Sequence, residues 1–394
     1  MPSPSQPLRF GGLLRSAALG VAWQVLLAGT AAAGDAMVIN DSSPVAQKPW
    51  DLCRTFDQGT LYSDPAAPVL QSFSVIGHYQ GQFVAADSNH GAETLWENRR
   101  WRAGFKAAFC EHWEFFTQAS LRTDFDNSAP FLKDFDEISL KWEPAKEFYL
   151  ILGKQKAKIT NEWAESARFI RTFERSLLVN QLMSTKLGGL VAGWRPSDKV
   201  WLEGGLYGGA LTEELLLPSR HGGLGASARA GWNVSRTTAM RLDSFFSDQN
   251  PASNAMSPYA CLVSWNTESR FGPWGLMTDV MAGVGGDESA HPDVFGLVLM
   301  PSCQLTDRLQ AVFRYQYANA RGTEGLSLQK RYERPTVDDG AALRGDNYHA
   351  FYLGMNYRLC QDKLKLMAGL EYATMGGHAD YQGWTVMSGI RMYY

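Results

Sequence analysis

The stretch Phe148-Tyr149-Leu150-Ile151-Leu152-Gly153-Lys154-Gln155-Lys156-Ala157-Lys158-Ile159-Thr160-Asn161-Glu162 changes character halfway along. Its first six residues are an apolar run of strand length, whereas from Lys154 onward the chain is too polar to bury on either face. In Glu165 to Gln181, Phe169, Ile170, Phe173 and Leu177 recur at helical spacing, with Arg168, Arg171, Glu174 and Arg175 on the other face. A short helix fits that segment. After Lys186 the glycine-rich run Leu187 to Trp194 reads as a strand again. A long folded segment, about 154 to 186, therefore sits between two strands, and it holds too many aromatics for a disordered linker.

Working outward, the period is two almost everywhere beyond Val69. In Phe73 to Phe83, Phe73, Val75, Tyr79 and Phe83 alternate with His78, Gln80 and Gln82. Trp101, Ala103, Phe105 and Ala107 alternate with Arg100, Arg102 and Lys106, and Ile138, Leu140 and Trp142 with Glu137, Ser139 and Lys141. The same division recurs through 115–121, 200–210, 224–234, 238–246, 259–265, 274–284, 295–301, 309–317, 351–359, 364–372 and 384–394. One face of each strand is apolar and the other wet. The polar run Asn319 to Gly345 reads as an extracellular loop. The fold class expected is all-β: a 16-stranded antiparallel transmembrane β-barrel. A sandwich would bury one face in a core, and these wet faces carry too much Arg and Lys for that. The final strand puts Trp384, Val386, Ile390, Met392 and Tyr394 on one face and ends on an aromatic residue.

Composition agrees. The chain has 394 residues, 38 Gly, 13 Trp, 15 Tyr, 20 Phe and a net charge of −3, without the basic excess that nucleic-acid binding would need. Arg9 and Arg15 precede the apolar run Ala17 to Gly29, which ends in Thr30-Ala31-Ala32-Ala33. That is the pattern of a signal peptide over 1–33, cleaved after Ala33. Residues 34–68, rich in Pro, Ser and Asp, read as a periplasmic N-terminal linker in which Lys48 to Arg54 could form an amphipathic turn tucked against the barrel at 69–394. Cys53, Cys110, Cys261, Cys303 and Cys360 have no pairing or metal-binding spacing and read as apolar fillers.

Several elements together resemble a known family. They are Leu150-Ile151-Leu152-Gly153-Lys154-Gln155-Lys156, Arg168-Phe169-Ile170, Phe173-Glu174-Arg175-Ser176-Leu177, Leu187-Gly188-Gly189, Glu97 to Phe105 and Lys363 to Tyr372. In that order they resemble the phosphate-selective porins O and P of bacterial outer membranes. The resemblance covers roughly Val69 to the C-terminus. It implies that the 154–186 segment folds into the lumen and narrows it, that basic residues near the constriction bind phosphate, and that the protein is a homotrimer.

The wet positions carry the functional expectation. Arg100, Arg102, Lys106, Arg122, Lys141, Arg229, Arg241, Arg308, Arg314, Lys363, Lys365 and Arg391 face inward on this register, against Glu137, Glu203, Asp243, Asp279 and Glu371. A low-dielectric wall focuses such an excess into the lumen and enriches anions there. The constriction residues expected to meet an anion are Lys154, Lys156, Lys158, Arg168, Arg171, Arg175 and Lys186, with the guanidinium fork suited to two phosphate oxygens. The alternative is that they pair with Glu162, Glu165 and Glu174 and only hold the loop.

The expected activity is thus an outer-membrane diffusion channel preferring small anions such as phosphate. Its partners are outer-membrane lipid and the solute, with no nucleic acid, cofactor or metal. A non-conducting barrel plugged by its own loop is the alternative. A barrel enzyme would need a nucleophile, His and acid together, and His78, His112, His221 and His349 stand apart. The glycines of Gly204 to Gly209 suit a strand, since no helix and no Lys-Ser/Thr follow. Asp134-Asp136-Glu137 and Glu213-Glu214 read as solvated loop ends in preference to calcium sites.

Overall fold

The computed structural model describes residues 52–56, 58–122, 131–183, 186–209, 223–249, 257–285, 291–321, 324–338, 340, 343–378 and 380–394. The signal peptide, most of the linker, Glu213-Glu214 and His221 lie outside these. The strands are β1 (Leu70–Ser88), β2 (Ala92–Phe109), β3 (Trp113–Leu121), β4 (Leu132–Ala145), β5 (Phe148–Gln155), β6 (Leu187–Trp194), β7 (Val200–Gly209) and β8 (Gly223–Asn233). They continue with β9 (Thr238–Ser247), β10 (Tyr259–Phe271), β11 (Trp274–Gly285), β12 (Val294–Gln304), β13 (Leu309–Ala320), β14 (Asn347–Arg358), β15 (Leu364–Gly376) and β16 (Tyr381–Tyr393).

Each strand pairs antiparallel with the next, and β16 returns to β1 with Ile390 opposite Gly81 and Tyr393 opposite His78. The sheet is a closed 16-strand barrel, so no strand edge is left in the bilayer, where an unpaired peptide group would cost several kcal/mol. No helix among the described residues is long and apolar enough to cross a membrane; the strands do so.

Alternation sorts the side chains. On β14, Phe351, Leu353, Met355 and Tyr357 are exposed on the outer surface, while Tyr348, Ala350, Tyr352 and Asn356 are buried. Aromatic pairs mark the two rims: Trp113 with Trp142 near one end, ring centroids 6.1 Å apart, and Tyr372 with Trp384 near the other, 4.6 Å apart. At the end that holds Tyr394 the connections are short turns, such as 146–147 and 272–273. At the opposite end run the long connections 156–186 and 321–346.

The cysteine expectation needs correcting. Cys53, on the helical turn α1 (Leu52–Thr55), is disulfide-bonded to Cys360 in the turn between β14 and β15, while Cys110, Cys261 and Cys303 are free thiols. Sequence spacing conceals the pair because its partners are 307 positions apart and meet only once the barrel closes. Phe56 packs beside the disulfide against Leu364, and Thr60–Ser63 pairs with the start of β1.

The largest core is inside the barrel. Inward residues of β9 to β13, among them Phe245, Leu262, Met277, Met281, Val298 and Val312, are buried against the infolded segment. That segment turns in at Gly153, whose φ of 141° and approach to the Ile138 carbonyl leave no room for a side chain.

Candidate functional site

Two bulges set the charges of the lumen. Along β1 and β2, Gln80 faces Arg100 and Gly81 faces Asn98, which leaves Arg99 as an extra residue. Arg99 and Arg100 consequently both line the interior. Strict alternation sends Arg99 to lipid, so the sequence reading missed it. Between β3 and β4, Gln118 faces Glu137 and Ala119 faces Phe135, leaving Asp136 extra. Asp136 and Glu137 both accept from Lys186, the latter at 2.7 Å.

The infolded segment is anchored by polar groups the wall supplies. Asp279 of β11 accepts the backbone N–H groups of Asn161 (3.0 Å) and Glu162 (3.2 Å) at the start of helix α2 (Asn161–Ala164). Leu177, at the start of helix α3 (Leu177–Leu182), donates its N–H to Gln316 of β13 at 2.8 Å. Arg314 bonds Glu162 (3.1 Å), Glu371 (2.8 Å) and the Glu174 carbonyl (2.7 Å). Lys365 donates to the Ile170 carbonyl at 2.7 Å, and the Arg391 guanidinium lies 5.2 Å from the Phe173 ring.

These bonds account for the missing helix. Carbonyls that a helix over Glu165 to Gln181 would need are bonded instead by Lys365, Asn356 and Arg314, so only its last part, α3, is helical.

The connection 321–346 also departs from expectation. It does not remain outside: Leu326, Leu328 and Tyr332 are buried, and Leu326–Ser327 pairs with Arg344–Gly345. Gln329 donates to the Arg175 carbonyl at 2.9 Å, and Gln181 accepts from the Ser327 N–H at 3.1 Å, so the two inner loops interlock. Tyr332 donates to Glu371 at 2.6 Å and Tyr348 to Glu333 at 2.5 Å.

Between the loops and the β1–β5 wall lies a cavity of about 1050 Å³. Thirteen basic residues line it against five acidic ones, Glu114, Asp134, Asp136, Glu137 and Glu174. All of these acids except Asp134 are ion-paired: Glu114 with Lys106, Asp136 and Glu137 with Lys186, and Glu174 with Arg99.

The expected constriction residues divide. Lys154 and Arg168 line the cavity without an acidic partner among the described residues. Lys158 lies 3.4 Å from Glu203, and Lys186 is taken up by its two acids. Lys156 donates to the carbonyls of Trp163 (3.0 Å) and Glu165 (2.8 Å), and Arg175 to those of Glu162 (2.6 Å) and Glu165 (3.1 Å). Burial, with Arg175 and Lys186 nearby, lowers the Lys156 ammonium to about 6, and a neutral amine still makes both bonds. Arg171 is not in the lining; it pairs with Glu268 at 2.8 Å and lies 3.8 Å from Glu165.

The expected lumen residues divide similarly. Arg100, Arg102 and Lys141 line the cavity. Arg100 donates to Gln80 at 2.6 Å, Arg102 pairs with Asp136 at 2.6 Å, and Lys141 pairs with Glu143. Lys106, Arg122, Arg241, Arg314 and Arg391 are outside that lining; Arg241 is held by Asp243 at 2.8 Å, and Arg314 and Arg391 are buried beneath the loop. The apolar inner faces of β9 to β13 were the available sign that this half of the lumen is filled.

Residues 76–255 match the sequence model of phosphate-selective porin O and P. Together with the closed 16-strand barrel, this match supports an outer-membrane diffusion channel. No curated protein matches this sequence. Among solved structures, the anion-selective porin from Comamonas acidovorans superposes with a TM-score of 0.57 at 12% identity, over 82% of this chain and 99% of that one. OmpT, an outer membrane protein of Vibrio cholerae, gives 0.56 at 12% identity, over 85% and 99%. The outer membrane channel DcaP of Acinetobacter baumannii gives 0.53 at 11% identity, over 82% and 97%. At such identities these likenesses concern the fold, and the selectivity of this barrel is argued from its own residues.

Proposed function

We propose that this porin is a passive diffusion channel preferring small anions, phosphate among them. The supporting observation is the imbalance in the cavity lining: its acids are nearly all neutralised within ion pairs, whereas Arg100, Lys154, Arg168 and Lys330 have no acidic partner among the described residues. In a narrow passage with low-dielectric walls, unpaired cations raise the local anion concentration. Arg100 and Arg168 offer planar forks that donate to two oxyanion oxygens together. The phosphate-selective description of the matched family and the anion selectivity named for the Comamonas porin point the same way. On this reading a leader is cleaved after Ala33, the turn end faces the periplasm, and the porin assembles as a homotrimer.

The test is a planar bilayer under a KCl gradient. An anion-directed reversal potential, with chloride current reduced by added phosphate, supports the proposal. A cation-directed potential overturns it, and absence of conductance steps would make the barrel a closed, structural one.

A further inference from the structure

The segment 326–337 carries Lys330, Arg331 and Arg334 into the lining of the cavity. Arg331 bonds Glu97 of β2. Toward the turn end from Glu97, β2 presents Arg99 and Arg100, at about 3.3 Å of rise per residue, so Arg331 is docked about 10 Å nearer the loop end than Arg100. Gln329, on the other side of Lys330, is buried and fastened to the Arg175 carbonyl and, at 3.3 Å, to Asn180. Arg334 is occupied within its own loop by the Leu328 carbonyl at 2.8 Å. The backbone of Lys330 is thus clamped on both sides while its ammonium stays exposed and has no acidic partner among the described residues.

We propose that Lys330 is a specificity-determining residue at the loop-end entrance, receiving inorganic oxyanions before they reach Arg100 and Arg168. A clamped backbone holds the charge at the mouth without immobilising the ammonium, so capture costs little ordering. Arg100 and Arg168 act from within, on anions arriving from either side; Lys330 acts on those entering from the loop end. The inference rests on the anion-preferring reading above, and it adds a direction to it.

The experiment measures the association rate of inorganic phosphate, from block of single-channel chloride current, on each side of the same channel. Lys330→Glu should slow association from one side about fivefold and leave the other side within about twofold, because a single charge at a mouth steers arrivals at that mouth. Lys330→Arg should retain the wild-type rates. Equal slowing from both sides, or no slowing, overturns the entrance role. Because Lys330 is exposed, its replacement leaves the barrel's packing intact, and an unchanged urea midpoint of unfolding in Lys330→Glu checks this. A wild-type channel without anion preference would instead overturn the parent reading, whereas preserved preference with an inert Lys330→Glu overturns this inference alone.

Discussion

Arg100 and Arg171 are both basic residues beside the lumen, yet their fields differ. Arg100 has a neutral glutamine partner, whereas the charge of Arg171 is shared by Glu268 and Glu165. Arg100→Gln should therefore reduce the anion-to-cation permeability ratio by about two- to fivefold, while Arg171→Gln should leave it unchanged. Reversal potentials of the two variants check this, and equal effects would show that pairing does not silence a lumen charge. Arg314 is the opposite case, a buried cation that ties Glu162 to Glu371. Arg314→Met strands two carboxylates and should destabilise the loop's docking by about 3–5 kcal/mol, raising conductance and its noise. The sequence distinguishes basic from apolar positions but not paired from unpaired ones, because pairing depends on residues such as Glu268 and Gln80 that are remote in the chain. Arg99 was hidden for a related reason. Alternation assumes an unbroken register, and only pairing with β1 reveals the extra residue.

At the scale of elements, strand positions were legible because each strand must present one face to lipid and another to water or to the inner loops. The long inner segments were less so. Their conformation is dictated by wall groups such as Asp279, Gln316 and Arg314, not by their own periodicity. The second inner loop hangs on Glu333, a fully buried carboxyl that accepts from the Tyr348 hydroxyl and the Gln329 N–H. Tyr332, Glu371 and Arg314 stand around it as well. Burial, reinforced by Glu371, raises its pKa to about 8. With the loop undocked the group would titrate near the ordinary carboxylate value. The docked state thus holds its proton more tightly, is favoured in acid, and loses stability as pH rises toward and through about 8. Trypsin cleavage after Lys330 or Arg331, normalised to the unfolded chain, should therefore quicken between pH 6 and pH 9. Glu333→Gln, permanently neutral, should flatten that dependence; a wild-type rate without pH dependence would mean that Glu333 does not govern docking.

The whole molecule depends on closing a cylinder whose first and last strands lie at opposite ends of the chain. The β16–β1 seam does this with backbone hydrogen bonds, and the Cys53–Cys360 disulfide reinforces it by fastening the segment ahead of β1 to the turn ahead of β15. A cross-link between residues 307 positions apart removes much of the unfolded chain's freedom, and in the chain-entropy account long loops gain most. Replacing both cysteines by serine should lower the free energy of unfolding by roughly 2–5 kcal/mol, seen as a lower urea midpoint in detergent. Reductant should move the wild type toward the variant and leave the variant unmoved. Neither cysteine lines the cavity, so the variant's unit conductance and anion preference should match the wild type's. If selectivity also changed, the segment around Cys53 would be shaping the passage itself and not merely bracing the seam. Stability and selectivity read on the same two substitutions thereby separate closure of the barrel from control of what passes through it.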